Sequence, residues 1–183
     1  MIIGVTGFIA SGKSVLSEVL AAKGFTRLTL SEEVREEARK LGIEIERNAL
    51  QDLGNKMRSM HGNDYWAKRL IAKIEDGKNY IVEGIRNPGE IETLRKLNSF
   101  VLIGVSAPAE QRLEWIKKRK KDSDPKTIEG IKAIDSRDRG IGEHSTGQQT
   151  ELCYQMADSY IVNDAGLDDL RKQVEKLLEE LTL

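Results

Sequence analysis

Eight consecutive residues near the start constrain this chain more than any others: Gly7-Phe8-Ile9-Ala10-Ser11-Gly12-Lys13-Ser14. They fit the pattern G-x-x-x-x-G-K-[ST]. They follow an apolar run at residues 2–6 and open a helical pattern. A strand that turns tightly into a helix aims backbone N–H groups, and the positive end of the helix, at one point. Gly7 and Gly12 permit the backbone geometry such a loop needs. The amides around Ile9, Ala10 and Ser11 can then line a cradle for phosphate oxygens. Lys13 can reach β- and γ-phosphates, and Ser14 can place its hydroxyl on Mg²⁺. Four fixed positions of this kind coincide by accident in about one chain in a hundred of this length.

Five short apolar runs, at 2–6, 25–30, 80–82, 100–105 and 160–162, alternate with helical patterns. Runs apolar on both faces suit buried strands of a parallel sheet, and strand–helix alternation suits an α/β fold. The second run is marked by Arg27. The 183 residues fit one compact domain with two insertions. Residues 32–76 are more than a crossover needs and predict a helical flap that binds the acceptor. Gly42, Gly54 and Gly62 interrupt it, and Asn63 is placed as the cap of its last helix. Residues 117–147 predict a mobile lid. They hold the run Lys117-Lys118-Arg119-Lys120-Lys121, then Asp124-Pro125, then Arg137-Asp138-Arg139-Gly140-Ile141-Gly142. An amphipathic pattern at 167–181 predicts a last helix packed on the sheet.

The second site signal is Asn79-Tyr80-Ile81-Val82-Glu83-Gly84-Ile85-Arg86. An apolar strand here ends in a carboxylate, at the rim where parallel α/β sheets bind ligands. Glu83 can hold Mg²⁺ through water or orient the attacking oxygen. Gly84 lets a ligand approach the backbone, and Arg86 can grip a phosphate in a bidentate fork. Ser31 and Arg35 open the first insertion and can meet an acceptor phosphate from the other side, although Arg35 can equally pair with Glu32 on a solvated helix. Arg112, Arg119, Arg137 and Arg139 border or occupy the lid. At least one is expected to stabilise charge on a moving phosphoryl group: Arg137 and Arg139 are assigned to that role and Arg119 to the donor.

The remaining composition sets limits. The formal net charge of −1 gives no basic field for nucleic acid. One cysteine, Cys153, excludes an internal disulfide and a cysteine-rich zinc site; it falls on an apolar helical face and reads as core. His61 and His144 lack metal-ligand partners at helical spacing. Trp66 and Trp115 read as packing residues, with Trp66 next to an acceptor base as the lesser alternative. No apolar run is long enough to span a bilayer, and the start resembles no signal peptide. The expectation is a cytoplasmic protein with no membrane or nucleic-acid partner. Its oligomeric state stays open.

The cradle together with Glu83-Gly84-Ile85-Arg86 resembles the nucleoside monophosphate kinases of the adenylate-kinase-like P-loop group. Three further segments are similar to the deoxynucleoside monophosphate kinase branch and to the P-loop domains joined to deoxycytidylate deaminases. They are Leu50-Gln51-Asp52-Leu53-Gly54, Gly62-Asn63-Asp64-Tyr65-Trp66-Ala67, and the stretch from Asp135-Ser136-Arg137-Asp138 through Gly147-Gln148-Gln149. Residues 156–164 resemble that group's last strand. Many relatives have Asp where this chain has Glu83, and no deaminase zinc signature is present. The segment Thr6–Ser14 also resembles dephospho-coenzyme A kinase, but Thr29-Leu30-Ser31-Glu32 stands where that family shows Asp-x-Asp. Val162-Asn163-Asp164-Ala165 is not the guanine reader of signalling GTPases.

The resemblance implies a P-loop fold with a five-stranded parallel sheet in the order 2-3-1-4-5. It implies ATP and Mg²⁺ as cofactors and a small-molecule acceptor. The expected activity is transfer of the terminal phosphoryl group to a (deoxy)nucleoside monophosphate. The alternatives are a dephospho-coenzyme A kinase and a nucleotide-sensing module without kinase activity.

Overall fold

A computed structural model describes residues 1–119, 127–140, 142 and 144–181, and the side chains of Arg119 and Arg137 lie outside that description. The element order starts with β1 (Ile2–Gly7), α1 (Lys13–Ala22) and β2 (Thr26–Thr29). Three helices follow: α2 (Leu30–Leu41), α3 (Arg47–His61) and α4 (Tyr65–Ile71). Next come β3 (Tyr80–Glu83), α5 (Pro88–Leu94), β4 (Phe100–Ser106), α6 (Ala109–Arg119) and α7 (Ile128–Arg139). The chain closes with α8 (Thr150–Gln155), β5 (Ser159–Val162) and α9 (Leu167–Glu180).

The strands form one parallel sheet in the order β2-β3-β1-β4-β5. Alternation along each strand divides the core into two layers, because successive side chains point to opposite faces. Ile3, Val5, Ile81, Ile103, Val105 and Ile161 face α1 and α9, which contribute Leu16, Leu20, Leu170, Val174 and Leu178. Ile2, Tyr80, Val82 and Leu102 face the other way, against Leu30, Trp66, Leu70, Ile91, Leu94 and Cys153. The central strands are therefore apolar on both faces, as parallel strands must be. The outer strands β2 and β5 are not. Thr26, Arg27, Tyr160 and Val162 are exposed, so the expectation of burial on both faces fails at the two sheet edges.

Helix boundaries follow local chemistry. Thr29 caps α2, its Oγ1 accepting from Glu32 N at 3.0 Å, and Gly42 closes that helix in a left-handed turn. Asn87 caps α5 in a reciprocal capping box with Glu90. Two expectations are corrected. Gly54 does not interrupt the flap; it lies inside α3, held there by packing that outweighs the helix cost of a glycine. Asp64, not Asn63, precedes the first turn of α4. Among the described residues no helix is long and apolar enough to cross a membrane.

All five strands run the same way, so Gly7, Thr29, Glu83, Ser106 and Val162 end on one edge. The loops that leave this edge build the site.

Candidate active site

The turn after β1 sets the first wall. Gly7 (φ 135°) and Gly12 (φ 104°) lie in the positive-φ region. A Cβ on Gly7 would stand 2.0 Å from Val105 O, and one on Gly12 would stand 2.6 Å from Asn163 Nδ2. Only glycine fits both the dihedrals and the space. Asn163, at the end of β5, donates to Ser11 O at 3.2 Å and so fastens the loop from behind. The α1 N-terminus has no side-chain cap and no acidic residue in its first turn. Its first amides remain available to an anion.

Lys13 folds back over the loop, its Nζ donating to Gly7 O at 2.8 Å and to Phe8 O. Burial, and then the Arg86 guanidinium nearby, pull its pKa from 10.5 down to about 7; Asp138 and Glu83 oppose that shift. A neutral amine still has the N–H bonds those carbonyls accept. Between about pH 7 and 10.5 the unfolded chain holds a proton that folded Lys13 has lost, so this group makes stability rise with pH across that window. Arriving phosphates reverse the local sign. Their charge favours the ammonium, so triphosphate binding at pH 8.5 is expected to take up close to one proton. Calorimetry in buffers of different ionisation enthalpy measures this uptake, and it should vanish in Lys13→Met.

Glu83 ends β3 and points at the same edge. Its carboxylate accepts from Ser17 on α1 and from both Arg27 Nε, at 2.7 Å, and Arg27 NH2. The register explains the second partner. Thr29 pairs with Glu83 across β2 and β3, so Arg27, two residues earlier, is its diagonal neighbour on the same face. Both carboxylate oxygens are thus already engaged by protein donors. That fits a water-mediated role at a metal, with Ser14 as the direct hydroxyl, better than direct ligation by Glu83.

Arg86 lies three residues past the strand. Its turn is fixed by Glu90, whose Oε2 accepts from Arg86 N at 2.8 Å and Asn87 N at 3.1 Å. Glu90 is fully buried and pairs with Arg58 on α3, with Arg58 Nε 2.9 Å from Oε1. Asn87 Nδ2 donates to Ser145 O and Gly147 O, and Gln149 N donates to Arg86 O at 2.7 Å. The guanidinium itself donates to Gln148 Oε1 at 2.8 Å. Burial pulls the Arg86 pKa below its ordinary value, with Asp138 opposing, and the group remains a cation.

Two chambers meet at this arginine. The first, about 730 Å³, is lined by the loop 7–14, by Arg27 and Glu83, and by Asp138 of α7. The second, about 710 Å³, lies between α2, α3 and Trp66. Ser31, Arg35, Arg47, Gly84 and Arg86 line both. The residues expected on the acceptor side thus share one junction. Arg35 is 3.5 Å from Glu32, a loose contact that leaves it available; Arg39 makes the closer pair with Glu32, at 2.7 Å.

The lid arginines separate. Arg139 lies 5.0 Å over the Phe8 ring and 3.3 Å from Glu151, beside the loop but half-exposed. Arg112 is buried in a two-toothed pair with Asp135, at 2.9 and 2.6 Å, and donates to Ile9 O at 3.2 Å. It ties α6 and α7 to the loop and does not face the chamber's free space. The assignments to the Arg119 and Arg137 side chains, and the segment 120–126 of the expected lid, lie outside the described residues. Residues beyond the expected set line the chambers as well, among them Arg27, Arg47, Gln51, Asp138 and Gln148. Arg47 and Asp138 face each other at 3.5 Å and bridge α3 and α7. The sole sequence trace of Arg27 was a cation within an apolar run. Cys153 is fully buried and its thiol is pushed up by burial, which fits packing and not nucleophilic chemistry.

Residues 3–139 match the family described as AAA domain. A UPF0200 protein of Hyperthermus butylicus is 34% identical over 184 residues, spanning all of this chain and 95% of that one. Among solved structures, shikimate kinase from Bacteroides thetaiotaomicron is similar with a TM-score of 0.59 at 11% identity, covering 100% of this chain and 99% of that one. Shikimate kinase from Aquifex aeolicus is similar with a TM-score of 0.56 at 21% identity, covering 100% and 99%. At these identities the structural likeness is one of fold.

Proposed function

The chain belongs to the AAA domain family and to the UPF0200 proteins, and from that premise we propose that it transfers the terminal phosphoryl group of ATP to a small phosphate-bearing acceptor, a (deoxy)nucleoside monophosphate. The observation that carries this reading is the pair of chambers sharing Arg86. A binding module needs one chamber. Transfer between two substrates needs two, with positive charge where they meet.

The first chamber takes the donor. Loop amides and the α1 terminus hold its phosphates, and Lys13 leaves the Gly7 and Phe8 carbonyls for the β- and γ-oxygens. Ser14 is the residue whose hydroxyl would hold Mg²⁺, and Glu83, steadied by Ser17 and Arg27, would accept from water on such an ion. Bound Mg²⁺ would neutralise charge across the β- and γ-phosphates. The second chamber takes the acceptor, its phosphate between Arg35, Ser31, the Gly84 backbone and Arg86. Arg86 then faces charge on the moving group from the junction. Arg139, released from Glu151, supplies a second guanidinium from α7. Arg119 and Arg137 keep their proposed donor and transition-state roles. The flap of α2 to α4 and the lid around α6 and α7 close on the two substrates and exclude water.

A single molecule that joins adenosine to a nucleoside through a five-phosphate bridge spans both chambers. It is expected to bind about a hundredfold or more tighter than ATP, by turning the second association into an intramolecular one. Equal affinity in a titration would argue for one working chamber and against transfer.

A further inference from the structure

The second chamber contains an unanswered donor. Gln51, on α3, is 6% exposed, and its Nε2 has no hydrogen-bond partner among the described residues. The residue lines the second chamber and not the first. Buried side-chain donors are nearly always paired, and leaving one unpaired is costly. Neighbouring polar groups are already engaged: the Trp66 indole N–H donates to Gly54 O at 3.2 Å, and Arg58 is paired with Glu90. Among the described residues that line this chamber, Gln51 Nε2 is the buried side-chain atom left without a partner.

A second observation lies one helical turn further on. Gly54 falls on the same face of α3 as Gln51 and lines the same chamber. Glycine weakens a helix interior. A Cβ at this position would meet nothing nearer than 3.8 Å, so the glycine is not forced by crowding. Its effect is to leave that part of the chamber wall, between Val34, Arg58 and Trp66, without a side chain. The chamber thus offers cations at the junction end, apolar surface from Val34 and Leu50, and the unpaired Gln51 amide.

We propose that this chamber holds the flat ring of a nucleobase, and that Gln51 Nε2 donates to a carbonyl oxygen or ring nitrogen on its edge. The inference rests on the acceptor reading given above and names the part of the acceptor remote from its phosphate. Gln51 is then a specificity-determining residue, and Gly54 keeps the wall beside Trp66 free of a side chain.

The test uses steady-state kinetics of the full chain with ATP and Mg²⁺. The acceptors are AMP, GMP, CMP, UMP, dTMP and ribose 5-phosphate, which carries the phosphate without the base. The wild-type protein should favour at least one monophosphate over ribose 5-phosphate by about a hundredfold or more in kcat/KM. Gln51→Leu should raise KM for that monophosphate about tenfold or more, and leave KM for ATP unchanged. It should also keep or raise Tm, because it removes an unpaired buried donor. Gly54→Leu, which adds a side chain to the chamber wall, should raise the same KM without moving KM for ATP. An unchanged monophosphate KM in Gln51→Leu overturns the inference, as does a fall in Tm with equal losses for both substrates. If ribose 5-phosphate serves as well as any monophosphate, the ring assignment fails while the kinase reading stands. If none of these acceptors is phosphorylated, the acceptor reading fails and the inference with it.

Discussion

Lys13→Ala is expected to lower acceptor-dependent phosphoryl transfer by about three orders of magnitude while leaving the fold intact. Lys13 is the one lysine in the loop 7–14, and its Nζ lies over the carbonyls of Gly7 and Phe8. In the chain without nucleotide, its charge is disfavoured by burial and by Arg86. An arriving polyanion relieves that penalty and restores the ammonium. That relief is greatest when charge on the transferring oxygens is greatest, so the loss should fall mainly on kcat. Removing the side chain leaves two carbonyls that water can reach through the open chamber, and it ends the repulsion with Arg86. Thermal stability without nucleotide should therefore stay level or rise, and scanning calorimetry beside the kinetic assay checks this. A parallel loss of Tm and activity would mean that Lys13 supports the fold and not the reaction.

The second large effect is at Arg86. Arg86→Ala is expected to lower kcat/KM by about a thousandfold, and Arg86→Lys by about a hundredfold. The guanidinium stands where the two chambers meet, and its backbone is clamped by Glu90 and Gln149. A lysine at this position keeps the charge but loses the planar fork that faces two oxygens at once. The failure of lysine to rescue separates bidentate recognition from simple charge neutralisation. Full rescue by lysine would reduce Arg86 to a background charge. Both variants should keep the Glu90 contacts, since these run through the backbone amides of Arg86 and Asn87.

The legible part of this molecule was the part written in contiguous residues. Gly7 to Ser14 is a local shape, so spacing alone places the amides, Lys13 and Ser14. Short runs apolar on both faces marked β1, β3 and β4, and Glu83 falls at a strand end as expected. The strand order was not in the periodicity. Parallel pairing is nonlocal, and the expectation came from the family resemblance. Gly54 misled, because a glycine's weak helix propensity reads as a break until tertiary packing overrides it. Arg112 looked like a free lid cation; its partner Asp135 lies 23 residues away, on another helix. Arg47, Asp138 and Gln148 carry no signature of their own. They join the site because three separate segments converge on Arg86. The Asn87-Pro88-Gly89-Glu90 segment could have been read, since a capping box has fixed spacing, and it would have placed the turn that aims Arg86.

The most direct test of the account is ADP formation from ATP and Mg²⁺ by the full chain, with and without acceptor. The panel should contain ribo- and deoxyribonucleoside monophosphates, dephospho-coenzyme A and shikimate, with GTP as an alternative donor. Slow turnover is expected with ATP alone, with a rise of about a hundredfold or more with at least one nucleoside monophosphate, accompanied by its diphosphate as product. ATP binding with the same slow turnover in the presence of every acceptor would contradict it, and would make this chain a nucleotide-sensing module.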